Sequence, residues 1–185
     1  MRSIDNIISD IIKTEGGYSD NPNDAGGKTM YGITERVARQ WGYKGDMKDL
    51  PYRVAKEIYY HKYVVEPGFD KVLLVSPPVC FELVDTGVNC GPGTAIKFFQ
   101  KALNGLNNQG KLWEDIPLDG GIGPRTIKAF VSFLKHRGSQ DGERVMIVVL
   151  NCLQAAHYIG LTDRNETQEE FLFGWLKNRV SDQLR

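Results

Sequence analysis

The sequence predicts a mainly α-helical protein with one small β-hairpin and loop region near residues 18–33. Apolar residues recur at helical spacing through most of the 185-residue chain. Turn-forming glycine, asparagine, aspartate and proline residues are instead concentrated between residues 16 and 32. A composition of 41% hydrophobic and 25% charged residues is ordinary for a soluble globular protein. We therefore expect helices around a core, interrupted early by one irregular segment.

The first helix is predicted by five isoleucines that share one face: Ile4, Ile7, Ile8, Ile11 and Ile12. Ser3 is expected to cap the helix, and Gly16 can end it because glycine readily adopts positive φ. Glu15 then lies in the last turn, where the helix dipole disfavours a carboxylate. Partial burial there would favour the protonated form that a general acid needs. The alternative is an exposed glutamate without a role.

Glu15 is followed within fifteen residues by a second carboxylate, Asp24, and a hydroxyl, Thr29. Cleavage of a glycosidic bond requires an acid that protonates the leaving group. It also requires groups on the opposite side of the bond that hold a water molecule. The alternative to a catalytic role is a structural one. Asp24 would then be an ordinary turn residue, and Thr29 an ordinary strand residue. Residues 28–31 are predicted to be extended, and Thr34 to cap the next helix.

Residues 15–34, which begin Glu-Gly-Gly-Tyr and end Gly-Ile-Thr, resemble the signature of the N-acetylmuramidases of glycoside hydrolase family 108. That family includes phage and prophage endolysins. Residues 80–91, 95–103 and 118–126 are similar to the helical peptidoglycan-binding region that accompanies it. The resemblance implies a lysozyme-like helical fold and hydrolysis of the β-1,4 bond between N-acetylmuramic acid and N-acetylglucosamine, which would cause bacterial lysis. It also implies peptidoglycan as the partner, and no cofactor.

In the predicted mechanism Glu15 protonates the glycosidic oxygen, Asp24 stabilises the developing charge or polarises water, and Thr29 positions that water. Carboxyl groups roughly 6.5–9.5 Å apart would predict inversion at the sugar, and roughly 5–5.5 Å retention. Tyr18 and Tyr31 are candidate sugar-binding residues, with core packing as the alternative. A lytic transglycosylase, which uses one glutamate without water, and a non-catalytic cell-wall-binding protein are the other functions considered.

The chain is expected to contain a catalytic part at residues 1–75 and a helical peptidoglycan-binding-like part at residues 76–185, packed into one globular unit. Residues 69–76 are predicted to be a connector. Helices are expected at residues 34–41, 51–64, 77–86, 94–103, 125–136, 141–158 and 166–184.

Charge and composition argue against several other functions. The net charge is zero, with 23 basic and 23 acidic residues, so nucleic-acid binding is not expected. The three histidines, His61, His136 and His157, lack partners at helical metal-ligand spacing, so no metal site is expected. The three cysteines include no CxxC pair, which favours synthesis in a reducing cytoplasm. Cys80 and Cys152 are expected to be core residues.

The N-terminal helix contains no continuous apolar segment of the signal-peptide type, and no run of eighteen apolar residues is present. We therefore expect cytoplasmic synthesis, release through a holin, and action on the periplasmic cell wall as a monomer. The last predicted helix, residues 166–184, has an apolar stripe flanked by basic residues. Membrane contact and simple docking on the core are both compatible with that pattern.

Overall fold

The structure is a computed structural model that describes residues 3–20 and 28–180. Within these ranges it contains nine α-helices and one two-stranded antiparallel sheet, so the predicted mainly α fold with a small hairpin is confirmed. The chain divides into two compact units, residues 2–66 and residues 67–185, and each is described by itself.

The first unit is built around the packing of its first helix against a later one, α1 against α3. Ser3 caps α1 by accepting a 3.2 Å hydrogen bond from the Asn6 backbone N–H, as predicted. Four of the five isoleucines, all but Ile11, are buried. The elements are α1 (Ile4–Glu15), β1 (Thr29–Met30), β2 (Ile33–Thr34), α2 (Glu35–Gln40), a 3₁₀ turn (Met47–Asp49), α3 (Tyr52–Tyr60) and a π-helical turn (His61–Val65).

The second unit is an all-helical bundle among its described residues, with α5 in contact with α4, α6 and α8. Phe69, Phe99, Phe130, Leu83 and Leu150 are completely buried in its core. The elements are α4 (Phe69–Leu73), α5 (Pro77–Cys90), α6 (Pro92–Leu106), α7 (Pro124–Arg137), α8 (Ser139–Thr162), a 3₁₀ turn (Glu166–Gln168), α9 (Glu169–Trp175) and a π-helical turn (Leu176–Val180).

Three sequence predictions about this unit are wrong. Residues 69–76 contain the short helix α4 instead of a connector, because burial of Phe69 and Val72 against α5 stabilises it. Helix α6 begins at Pro92 and not at residue 94, since proline is already set for the first helical turn. Cys80 is buried as expected, whereas Cys152 is exposed.

The glycine-rich turn before α7 has a structural role. The buried Gln100 amide donates to Asp119 Oδ1 at 2.7 Å and to the Gly121 carbonyl at 2.9 Å, and its oxygen accepts from the Gly120 N–H at 3.0 Å. The hydrogen bond from Gln100 also holds the pKa of Asp119 below its usual value. These contacts fasten the turn to α6.

Two features of the last helices bear on membrane contact. Helix α8 is long and apolar enough to cross a membrane by length and composition alone, but it packs against α5, α6 and α7. Trp175 of α9 packs on Tyr158 of α8, with ring centroids 5.1 Å apart, while Phe173 is 78% exposed. One face of α9 is therefore docked on the bundle, and membrane contact through this region stays a prediction.

Candidate active site

Glu15 lies at the C-terminal end of α1, where the chain leaves the helix at Gly16 with a φ of 84°. The buried isoleucine face anchors this helix end to the first unit. The predicted partial burial of Glu15 is wrong, because its side chain is exposed in the structure. The carboxylate is thus presented at the surface from a well-anchored helix.

The hairpin turn lies directly against Glu15. Tyr31 and Gly32 form the two-residue turn between β1 and β2, and both have positive φ, 56° and 72°, as a type I′ hairpin turn requires. A Cβ atom placed on Gly32 would lie 2.7 Å from Glu15 Oε2 and 2.9 Å from the Tyr59 hydroxyl oxygen. Real side chains do not approach so closely, so only glycine allows this junction. Glu15, Gly32 and Tyr59 are here called the Glu15 junction.

Tyr59 is the residue of this junction that the sequence did not identify as functional. It is buried on α3, and its hydroxyl donates a 2.8 Å hydrogen bond to the carbonyl of Tyr31. Its ring stacks on Tyr63 at 6.1 Å with an interplanar angle of 5°. Burial raises the pKa of Tyr59, and the nearby Glu15 carboxylate adds to that shift. Tyr59 therefore remains a neutral donor that fixes the hairpin beside Glu15.

Thr29 lies at the start of the same hairpin. Its backbone N–H and carbonyl pair with those of Ser19 at 2.9 and 3.0 Å, and on its other side Thr29 pairs with Thr34. Because directly paired residues share a face of a sheet, the side chains of Ser19, Thr29 and Thr34 share one face. Thr29 is half-buried. The pairing with Ser19 ties the segment after α1 to the hairpin.

The two tyrosines proposed for sugar binding have different surroundings. The hydroxyl of Tyr18 donates to Asp20 Oδ2 at 3.3 Å, and Lys48 Nζ lies 5.3 Å from the ring centroid. Burial raises the pKa of Tyr18, and the Asp20 carboxylate contributes to the shift. Tyr31 packs edge-to-face on Tyr52, with centroids 5.8 Å apart. Both are half-buried, so each presents part of a ring to solvent.

Asp24, the second predicted catalytic carboxylate, lies outside the described residues. Within residues 3–20 and 28–180, no three His, Cys, Asp or Glu side chains come together as a metal ligand set would require. His61, one of the three histidines, instead approaches Glu66 Oε1 through Nδ1 at 3.2 Å.

A cavity of about 510 Å³ adjoins the Glu15 junction within the first unit. Gly32 and Tyr59 form part of its wall, together with residues of α2, α3 and the π-helical turn. Two basic side chains and one acidic side chain are among its lining residues: Arg36, Lys62 and Glu66. A charged cavity next to an exposed carboxylate is a feature that the sequence pattern did not predict.

Comparisons with known proteins agree with this arrangement. Residues 8–91 match the glycosyl hydrolase 108 family, and residues 94–180 match a predicted peptidoglycan domain. The structure of SagA from Brucella abortus is similar to this chain, with a TM-score of 0.55 and 26% sequence identity over 96% of this chain and 88% of SagA. A search of curated protein sequences finds no match.

These two matches indicate a glycoside hydrolase that acts on peptidoglycan. The glycosyl hydrolase 108 match covers most of the first unit together with α4 and α5, and the peptidoglycan-domain match covers most of α6 and the elements after it.

Proposed function

We propose that the protein is a lysozyme, an N-acetylmuramidase that hydrolyses the β-1,4 bond between N-acetylmuramic acid and N-acetylglucosamine. The observation that carries the proposal is the Glu15 junction. An exposed carboxyl group at an anchored helix end lies against a hairpin turn that requires glycine, inside the segment that matches the glycosyl hydrolase 108 family.

Glu15 is the general acid in this proposal. A glycan strand bound over the exposed carboxyl would exclude water, which favours the neutral acid. Proton transfer to the glycosidic oxygen then breaks the bond as positive charge develops on the sugar ring. Such assistance is typically worth about 10²–10⁴-fold in rate. Asp24 and Thr29 are proposed to stabilise the charge and to position the attacking water, and Tyr18 and Tyr31 to contact sugar rings.

We propose bacterial lysis as the biological role, as in a phage or prophage endolysin. In this role the protein is made in the cytoplasm, passes a holin pore, and acts on the periplasmic wall as a monomer. Purified enzyme applied from outside to permeabilised cells would then act as an antimicrobial.

The test is mass spectrometry of purified peptidoglycan after digestion, comparing the native protein with Glu15→Gln. We expect reducing N-acetylmuramic acid ends with the native protein and none with the variant. Glu57→Gln is the matched control, since Glu57 is a partly exposed glutamate of α3 that pairs with Arg53.

Each other product would contradict the proposal in a specific way. Anhydro-muramic acid ends would identify a lytic transglycosylase and remove the water-positioning roles of Asp24 and Thr29. Free stem peptides would identify an amidase. No product from correctly folded protein would indicate a binding protein, and full activity of Glu15→Gln would exclude Glu15 as the acid.

A further inference from the structure

The 510 Å³ cavity beside the Glu15 junction has no role in the mechanism above. Its size lies within the range that small-molecule sites in proteins commonly have. Its walls come from the hairpin, α2, α3 and the π-helical turn, all within the first unit. The cavity is therefore a property of one compact unit.

The cavity shares two wall residues with the Glu15 junction. Gly32 and Tyr59 both line it, and both approach Glu15 closely. A glycan strand extends over several sugar rings on either side of the bond being cleaved. A substituent of such a strand, bound with its scissile bond at Glu15, can reach a cavity that shares these two residues.

Arg36 is one of the cationic side chains that line the cavity. Arg36 is exposed, and it forms no hydrogen bond, ion pair or ring contact with any other described residue. Two other arginines of the first unit, Arg39 and Arg53, each have partners in the structure. Arg39 binds Glu35 Oε1 at 2.6 Å and the carbonyls of Tyr43 and Gly45, and Arg53 lies 3.4 Å from Glu57.

The other charged residues of the cavity leave Arg36 as its main anion-binding group. Lys62 Nζ lies over the Tyr63 ring, 5.2 Å from the centroid, and adds a second positive charge. Glu66, the one carboxylate among the described residues that line the cavity, is directed to His61 Nδ1. Trp41 is 40% exposed at the cavity wall, in edge contact with the His61 ring, and offers an apolar surface beside the cations.

We propose that this cavity binds a carboxylate that projects from the peptidoglycan strand, with Arg36 as its principal ligand and Lys62 as a second cation. The planar guanidinium group can bind a carboxylate through two parallel hydrogen bonds, which also fixes its orientation. The inference rests on the proposed function, since the cavity would select substrate for the Glu15 reaction. Two carboxylates have this chemistry: the lactyl group of an N-acetylmuramic acid that carries no stem peptide, and the acids of the stem peptide where one is attached.

The test compares the native protein with Arg36→Gln on three soluble glycans of one backbone. The first carries stem peptides, the second has been stripped of them by an amidase, and the third is stripped and has its lactyl carboxylates converted to amides. Arg53→Gln is the matched control, because Arg53 is 84% exposed and does not line the cavity.

We expect Arg36→Gln to raise KM about tenfold on carboxylate-bearing glycan with kcat little changed, as loss of one charge-assisted contact predicts. A loss confined to the first glycan would identify the stem peptide as the source. A loss confined to the second glycan would identify the lactyl group, because a stem peptide is joined to that carboxyl and leaves no free lactyl carboxylate in the first. A loss on the first and second, with none on the third, would show that either carboxylate binds in the cavity. Equal KM values for Arg36→Gln and Arg53→Gln on all three would overturn the inference.

Equilibrium binding of the stem-bearing and the stripped glycan, each measured in the Glu15→Gln background, separates this inference from the proposed function. Tighter binding of either glycan by Glu15→Gln alone than by Glu15→Gln/Arg36→Gln supports the cavity even if the native protein cleaves nothing. Equal binding of both glycans by the two variants refutes the cavity while leaving cleavage by Glu15 intact.

Discussion

Gly32 is the residue on which the geometry of the candidate site depends most directly. Its φ is positive, as the hairpin turn requires, and its lack of a side chain leaves room for the Glu15 carboxylate. The sequence indicated a turn in this region, because glycine is the usual residue at positive φ. It did not indicate that α1 would end against that turn, since this contact depends on the packing of the whole unit.

Gly32→Ala should lower both stability and activity. Alanine is strained at a φ of 72°, and its Cβ would overlap Glu15 and Tyr59. We expect the free energy of unfolding to fall by about 1–3 kcal/mol, with glycan cleavage reduced further because Glu15 is displaced. Chemical denaturation and a cleavage assay measure the two effects.

Gly105→Ala is the control for that substitution. Gly105 is an exposed residue of α6 with open space around its Cα, so alanine should stabilise the protein by roughly 0.5–1 kcal/mol. Equal stabilisation by Gly32→Ala would show that the hairpin does not need glycine there.

Tyr59→Phe tests the hydroxyl that connects α3 to the hairpin. Losing its bond to the Tyr31 carbonyl should cost about 0.5–1.5 kcal/mol of stability, and should lower kcat because the turn against Glu15 loosens. Tyr60→Phe, at the exposed neighbouring position, should change neither quantity. Identical kcat values for the two variants would remove Tyr59 from the site.

The sequence predicted Glu15 and Thr29 as site residues from their spacing and resemblance, and those roles stay predictions. It predicted no role for Tyr59 in the site. The contact that gives Tyr59 a role joins residues 28 positions apart, and helical periodicity carries no information about which loop a buried side chain meets.

At the scale of elements, the interface between α5 and α8 contains an unusual number of buried polar side chains. Glu82 of α5 accepts a 3.4 Å hydrogen bond from Thr86, and Asn151 and Gln154 of α8 are completely buried. Burial raises the pKa of Glu82 to about 7, and the neighbouring Asp85 carboxylate contributes. The folded protein therefore holds Glu82 protonated at mildly acidic pH.

This interface predicts a loss of stability as the pH rises. The stabilisation is complete below a pH near 4.5, the ordinary pKa of a glutamate, and it disappears as the pH passes about 7. The rise of the Glu82 pKa from 4.5 to about 7 corresponds to roughly 3 kcal/mol of unfolding free energy. Denaturant midpoints from pH 5 to 8 should therefore fall for the native protein and change much less for Glu82→Gln.

Glu114→Gln, at an exposed position of the second unit, should retain the native pH dependence. A native protein with a flat profile from pH 5 to 8 would show that Glu82 is ionised in the folded state.

Sequence periodicity predicted most helices but misplaced several ends. Helix α5 continues to Cys90 and α8 to Thr162, beyond the predicted ends at residues 86 and 158. The extension of α5 includes Asn89, whose side-chain oxygen accepts a hydrogen bond from Arg179 of the last π-helical turn. The extension of α8 includes Thr162, which is buried. In the sequence, polar residues that follow an apolar stripe indicate the end of a helix. In the structure, tertiary contacts of these residues extend the helix past that point.

At the scale of the whole molecule, the compact units and the family matches divide the chain at different places. The compact units meet at residue 66/67, whereas the family matches meet between residues 91 and 94, after α5. The predicted division at residue 75/76 lies between these two. Stable fragments should begin where few contacts are broken.

Fragments provide the test of that division. A fragment of residues 67–185 keeps α5 together with α4, α6 and α8, and we expect it to show a cooperative thermal transition by circular dichroism. A fragment of residues 92–185 loses the completely buried Val79, Leu83 and Val84 of α5. Deleting large core side chains typically costs about 2–5 kcal/mol each, which together exceeds the usual stability of a small domain. The shorter fragment should therefore melt without a cooperative transition, and cooperative melting of residues 92–185 would show that α5 belongs energetically with the first part of the chain.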